Sequence, residues 1–295
     1  MPDRHDEERA RALAEHRFEK LTWPEINEAV LLDKVVVLPI GSTEQHGHHL
    51  PLDVDTRLAS AVAYAAGERA HEEILVLPPV AYGYTHHVMD FPGTVSIEPQ
   101  TFVRFLLDIT RSVAYHGFQR IVLVNGHGSN HPLVEQAGRQ TNLQTDALCL
   151  TLSWWNLVAP YWNDRVRTSV NPGGCAHAGE LETSMYLHVD GDAVRVERTE
   201  GALPDYMSLP GGDRWQFVDL TGGSGPATIV EWTSSYSESG AFGSPQEATA
   251  QKGEMAFEHT VGEFVELVRW FRERPALARH DRRARPSSTE LPFGF

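Results

Sequence analysis

The stretch VVVLPIGSTEQHGHHLPLDVDT, Val35 to Thr56, opens as a run of β-branched and apolar residues and ends in a crowd of histidines and acids. An apolar run this short, closed by Gly41, reads as a buried strand. Glu44, His46, His48, His49, Asp53 and Asp55 follow where that strand ends. Side chains alternate along an extended segment, so Glu44 and His46 face one way and reach a common centre. Asp55 lies beyond a turn containing Pro51 that folds back toward them. Imidazoles and carboxylates without a nearby thiolate suit Zn²⁺ or Mn²⁺ in a catalytic site better than a closed structural zinc, and five or more such ligands can hold two ions.

Runs of the same kind recur at ILVLPPV (74–80), RIVLVNG (120–126) and ALCLTLSWW (147–155). Between them, TRLASAVAYAAGERA (56–70), PQTFVRFLLDITRSVAYHG (99–117) and SNHPLVEQAGRQTNLQ (129–144) carry apolar residues at helical spacing. Pro99 suits a first helical residue and Gly117 a C-terminal stop. The alternation predicts an α/β fold, a three-layer α/β/α sandwich on a mostly parallel sheet in a single domain. AGELETSMYLHV (178–189) reads as a further helix, whereas 201–226 is too rich in Gly and Pro for regular structure. A last helix starts at Ser244, with Pro245 and Glu247 completing a capping box. No repeat or linker interrupts the chain, so 19–277 is expected to form the domain, with 1–18 and 278–295 as irregular termini.

Across its 295 residues the chain carries a formal charge of -15, with the acids spread along it. That balance argues against nucleic acid or an anionic membrane surface and favours a small-molecule substrate. The two cysteines, Cys149 and Cys175, are too few and too differently placed for a disulfide framework, which fits a reducing cytoplasm. The charged N-terminal stretch does not read as a secretory signal. No window approaches the roughly 20 apolar residues of a membrane span.

Open α/β sheets place their sites at the carboxyl ends of the strands. Glu44 and His46 follow the first strand, His127 follows RIVLVNG, and Trp154 and Trp155 close ALCLTLSWW. His177, Glu180 and Glu182 open the helix after the next loop. Each has a plainer reading: Asp53 and Asp55 as turn formers, His48 and His49 as exposed or supporting residues, His188 as packing, and Glu180 and Glu182 as solvated acids favoured by a helix N-terminus. Alternation along a strand would put one of Trp154 and Trp155 in the core and the other at the pocket.

GSTEQHGHHLPLDVDT, FPGTVSI, NGHGSN and HAGELETS, in that order and spacing, resemble the creatininase family of metal-dependent amidohydrolases over about residues 20 to 270. The resemblance implies two ions, zinc or manganese, at the carboxyl edge of a parallel sheet, and a homohexamer. By motif, Glu44, His46 and Asp55 match metal ligands, with Asp55 bridging, and His127 matches a fourth. His177 matches a histidine with a proton-transfer role, and Trp155 an aromatic of the substrate pocket. In creatininase itself the NGH motif runs on through Tyr to a ligand Glu, where this chain has Gly128 and Ser129. Glu180 is the expected substitute ligand, because creatininase has an apolar residue there, whereas Glu182 occurs in both patterns. Gly173 and Gly174 occupy the region of a further creatininase Trp, which argues against creatinine as substrate.

The expected function is a hydrolase with a dinuclear centre, cutting a C–N bond (amide, cyclic amide or formamide) of a small uncharged substrate without an organic cofactor. The alternative is hydrolytic C–C opening of a cyclic keto-sugar or inosose. A phosphoesterase is disfavoured, since 39–56, 121–137 and 171–190 contain no Lys or Arg to clamp a phosphate.

Overall fold

The run Val35–Ile40 forms strand β1, buried along its whole length, in a computed structural model that describes residues 4–210, 212–278 and 280–285. Successive side chains leave its two faces: Val35 and Val37 enter one hydrophobic core, and Val36, Leu38 and Ile40 the other. Strands β2 (Ile74–Val76), β3 (Arg120–Asn125) and β4 (Leu148–Ser153) complete a parallel sheet of order β2-β1-β3-β4.

The helices in chain order are α1 (Arg4–Ala14), α2 (Trp23–Leu31), α3 (Val54–Arg69), α4 (Pro99–Tyr115), α5 (His131–Gln144), α6 (Trp155–Arg165), α7 (Glu180–Asp190), the short α8 (Gly212–Trp215) and α9 (Ala250–Glu273). Helices α3, α6, α7 and α9 supply the core on the Val35/Val37 face, and α2, α4 and α5 the core on the Val36/Leu38 face. The expected three-layer sandwich is therefore present. Helix α4 begins at Pro99, where the Glu98 carboxylate accepts the Thr101 N–H at 2.8 Å, and Gly117 follows its end at φ 100°.

From β1 the chain runs to β2 on one side and then to β3 on the other, so the strand order reverses between β1 and β3. A crevice at the carboxyl ends of such a pair is the general ligand position of open α/β sheets. Two glycines let the start of α3 close on it. A Cβ on Gly41 would lie 2.3 Å from the Thr56 nitrogen, and one on Gly126 would lie 2.2 Å from the Asp55 carbonyl oxygen.

Several boundaries differ from expectation. Residues 4–14, expected to be irregular, form α1, with acids in the first turn and the ion pairs Arg4–Glu8 at 3.0 Å and Arg11–Glu15 at 3.2 Å, each one helical turn apart. Residues 280–285 have no helix or strand, and the rest of the expected C-terminal tail lies outside the described residues. Strand β4 stops at Ser153, so Trp154 and Trp155 open α6 instead of alternating along a strand. The motif at Ser244 makes only a short turn, Pro245–Glu247, because Ala248 is extended; α9 starts at Ala250, where Thr249 Oγ1 accepts the Lys252 N–H at 3.2 Å. Within 201–226 the chain forms α8 and a small antiparallel ladder, β5 (Val218–Asp219) with β6 (Gly223–Ser224). Among the described residues no helix is long and apolar enough to cross a membrane.

Candidate metal centre

The loop after β1, the first turn of α3, the loop after β3 and the first turn of α7 deliver Glu44, His46, Asp55, His127 and Glu182 to one buried point. Donor atoms of Glu44, Asp55 and His127 lie within 4.8 Å of one another, and so do those of His46, Asp55 and Glu182. Asp55 belongs to both groups. His46 Nε2 is 3.2 Å from Asp55 Oδ1, His127 Nδ1 is 3.1 Å from Asp55 Oδ2, and His127 Nε2 is 3.4 Å from Glu44 Oε2. Yet Glu44 Oε1, His46 Nε2 and Asp55 Oδ2 are buried without a hydrogen bond.

Such close, unsatisfied donors are expensive unless a cation sits among them. The charge balance agrees, since three buried carboxylates here meet imidazoles and, among the described residues, no Lys or Arg. The donor set, imidazole and carboxylate with no thiolate, fits zinc or manganese.

Electrostatics show the same tension. Burial, reinforced by the charges of Asp55 and Glu44 against the pull of His46, pushes Glu182 up to about 7. Burial likewise raises Glu44 above the usual carboxylate range. His46 is desolvated too, but the neighbouring Asp55 carboxylate overrides that and lifts it to about 10; His127, between Glu44 and Asp55, rises to about 9. Asp55, held between the two imidazoles despite its burial, falls well below its ordinary value.

His177 stands beside this set. Its Nδ1 is 3.6 Å from Glu44 Oε1, its ring is 4.4 Å from that of His46, and its Nε2 lies 2.9 Å from the Gln45 carbonyl oxygen, a fit for an N–H donated to it. Burial holds its pKa well below the ordinary value. The segment before it is anchored by a buried Arg167–Asp219 pair at 2.7 Å, whose carboxylate also accepts the Gly173 N–H at 2.7 Å.

The structure does not bring Glu180 to the centre. As the first residue of α7 it turns the other way, pairs with Lys252 of α9 and accepts the Ser169 N–H at 2.9 Å. Glu182, two positions on, faces His46 and Asp55 instead, and its carboxylate takes the Ala178 N–H at 2.6 Å. Ala178 has φ 51°, a left-handed conformation unusual for a residue with a Cβ, and this hydrogen bond holds it there.

Trp154 and Trp155, expected to include one pocket wall, are 1% and 6% exposed and both pack in the core on the α6 side. His48 is exposed, and His49 is buried with Nε2 3.0 Å from Thr183 Oγ1. Asp53 accepts from the Tyr186 hydroxyl at 2.8 Å, away from the donor groups.

Sequence reasoning passed over Thr85, whose hydroxyl donates to Glu44, and Tyr84, whose carbonyl lies 3.1 Å from His127 Nε2. It also passed over Gln45, whose side-chain nitrogen is 3.0 Å from His177 Nε2. The pairing of Gln45 with the motif ligands on either side was its one available signal.

Residues 19–268 match the family model described as creatininase, creatinine amidohydrolase. The mycofactocin precursor peptide peptidase of Mycobacterium tuberculosis (strain ATCC 25618 / H37Rv) is 36% identical over 247 residues, covering 80% of this chain and 85% of the relative. The creatinine amidohydrolase of Pseudomonas putida is 30% identical over 272 residues, covering 85% and 95%. The solved structure of creatininase with Mn superposes with a TM-score of 0.73 at 28% identity, covering 88% of this chain and 99% of that one. With these likenesses running through the strands and loops that assemble the centre, the chain belongs to the creatininase family and is a hydrolase of that family.

Proposed function

We propose that this enzyme holds two divalent ions, zinc or manganese, one by Glu44, Asp55 and His127 and the other by His46, Asp55 and Glu182, and hydrolyses the C–N bond of an amide. The observation that carries this reading is the pair of donor groups sharing Asp55, with unsatisfied buried atoms among them. Bound ions would supply Lewis acidity toward a carbonyl and toward water. The protein's own part is to hold and orient. Thr85 fixes the Glu44 carboxylate, and the Ala178 N–H fixes that of Glu182.

In the tautomer that gives its Nε2–H to the Gln45 carbonyl, His177 would present an unprotonated Nδ1 toward the centre. It would then take a proton and pass it to the departing nitrogen. A peptide amide is the substrate class favoured, because a relative at 36% identity is named a precursor peptide peptidase; a small cyclic amide comes next, by the relative named creatinine amidohydrolase. The buried free thiols of Cys149 and Cys175 fit a reducing cytoplasm, and a homohexamer is the assembly we infer.

The test is elemental analysis of the chain loaded with manganese or zinc, followed by incubation with short peptides and small cyclic amides. About two ions per chain and release of new amine from at least one compound are expected. Less than one bound ion, or no amine from any compound under full loading, overturns the reading.

A further inference from the structure

The turn that carries His86 and His87 is fastened to the centre twice. The Tyr84 carbonyl lies 3.1 Å from His127 Nε2, and the Thr85 hydroxyl donates to Glu44. This places the His87 ring face to face with that of His127, centroids 6.3 Å apart and planes 20° from parallel. Ring nitrogens lie in the ring plane, so a face contact leaves both unused. Among the described residues neither nitrogen of His87 has a hydrogen-bond partner, although the side chain is half-buried. The neighbouring His86 is exposed and packs edge-on against Tyr84.

Neither nitrogen is sealed from solvent, so both are open to a group that enters the site. Metal ligation is not its use, since His87 belongs to neither donor group that shares Asp55. Its position relative to His177 is more telling. His177 lies beside His46, whereas His87 lies over His127, and those two ligand imidazoles meet Asp55 through different carboxylate oxygens. A carbonyl compound bound with its departing nitrogen at His177, beside His46, would have its oxygen toward His127 and so within the neighbourhood of His87.

We infer that His87 donates a hydrogen bond to the scissile carbonyl oxygen as that oxygen gains negative charge, from the His127 end of the ligand set. This rests on the C–N hydrolysis proposed above. A donor aimed at developing charge acts mainly in the transition state, so its removal lowers kcat more than it changes KM.

The test uses the manganese-loaded full chain, with His87→Leu removing the donor and His87→Gln keeping an N–H near its place. His87→Leu should lose about 100-fold in kcat with KM within about threefold, while His87→Gln recovers about tenfold of that loss. Metal content should stay at the wild-type level in both. A second measurement needs no turnover: calorimetric titration with acetohydroxamate, an oxygen-bearing amide mimic, should show about tenfold weaker binding to His87→Leu. Unchanged kcat, equal impairment of Leu and Gln, or loss of metal in His87→Leu overturns the inference. If wild-type protein cleaves no compound at all, the hydrolase reading fails separately, and the titration still decides on His87. Equal hydroxamate affinity in wild type and His87→Leu, or none in wild type, counts against it.

Discussion

Glu180 and Glu182 sit two positions apart at the start of one helix, and a helix turns them roughly 200° from each other. Only one can face the centre, and the choice falls on Glu182 because Lys252 captures Glu180 from the opposite side. Burial raises Glu180, but the Lys252 ammonium and the Ser169 and Thr168 hydrogen bonds outweigh it and keep its carboxyl below the ordinary value. Glu182→Gln is therefore expected to drop the metal content by about one ion per chain, read by elemental analysis. Glu180→Gln should keep both ions and lose roughly 2 to 4 kcal/mol of stability in denaturant unfolding, since it strands Lys252 beside a neutral amide. The reverse ranking would show that the ligand assignment is wrong.

At the scale of elements, the centre depends on how closely α3 approaches the ends of β1 and β3. Gly126→Ala would set a methyl 2.2 Å from the Asp55 carbonyl oxygen and 3.0 Å from the Ala59 Cβ. Helix α3 must then shift, at about 1 to 3 kcal/mol, and take Asp55 out of both donor groups. Joint loss of stability and metal is expected; retention of full metal would show that the contact is compliant.

A second element-level device is Lys34, buried at the entry to β1. Its ammonium donates to the Glu15 carbonyl at 2.9 Å and the His71 carbonyl at 2.5 Å, just past the ends of α1 and α3. Burial, only partly offset by Glu15 and Glu72, lowers its pKa to about 8. The unfolded chain thus binds one more proton between about pH 8 and the ordinary lysine range, so stability from this group rises with pH through that window. Paired unfolding curves of wild type and Lys34→Met should diverge there in favour of wild type; a gap that narrows refutes the account.

Taken whole, the molecule places acidic ligands from distant segments together with, among the described residues, no Lys or Arg to balance them. Chelation should therefore lower the thermal midpoint, and reloading should restore it. An ion held at 100 times its dissociation constant adds about 2.7 kcal/mol per independent site. A midpoint indifferent to chelator would argue against bound ions. On the surface, Trp215, Ile229, Val230 and Trp232 are each more than half exposed on the stretch from α8 to the loop that precedes Phe242. Apolar exposure of that kind suits an interface between copies. Sedimentation is expected to give the proposed hexamer of 32.9 kDa chains, and a monomer at micromolar concentration would exclude it.

The sequence by itself determined the parallel sheet, the layer of helices on each face, and the identity of Glu44, His46, Asp55 and His127 as the acids and imidazoles at its edge. It could do so because burial writes its period into neighbouring residues, and because a strand end followed by a short loop confines where a side chain can be. Only the tertiary structure decided between Glu180 and Glu182, since the deciding partner, Lys252, is 72 residues away and nothing near α7 announces it. It alone buried both Trp154 and Trp155, because the end of β4 depends on its pairing with β3 and not on its own composition. His87 is the same case. The residues before FPGT carry no period, and only the fastening of their turn to Glu44 and His127 puts that ring over the ligand set.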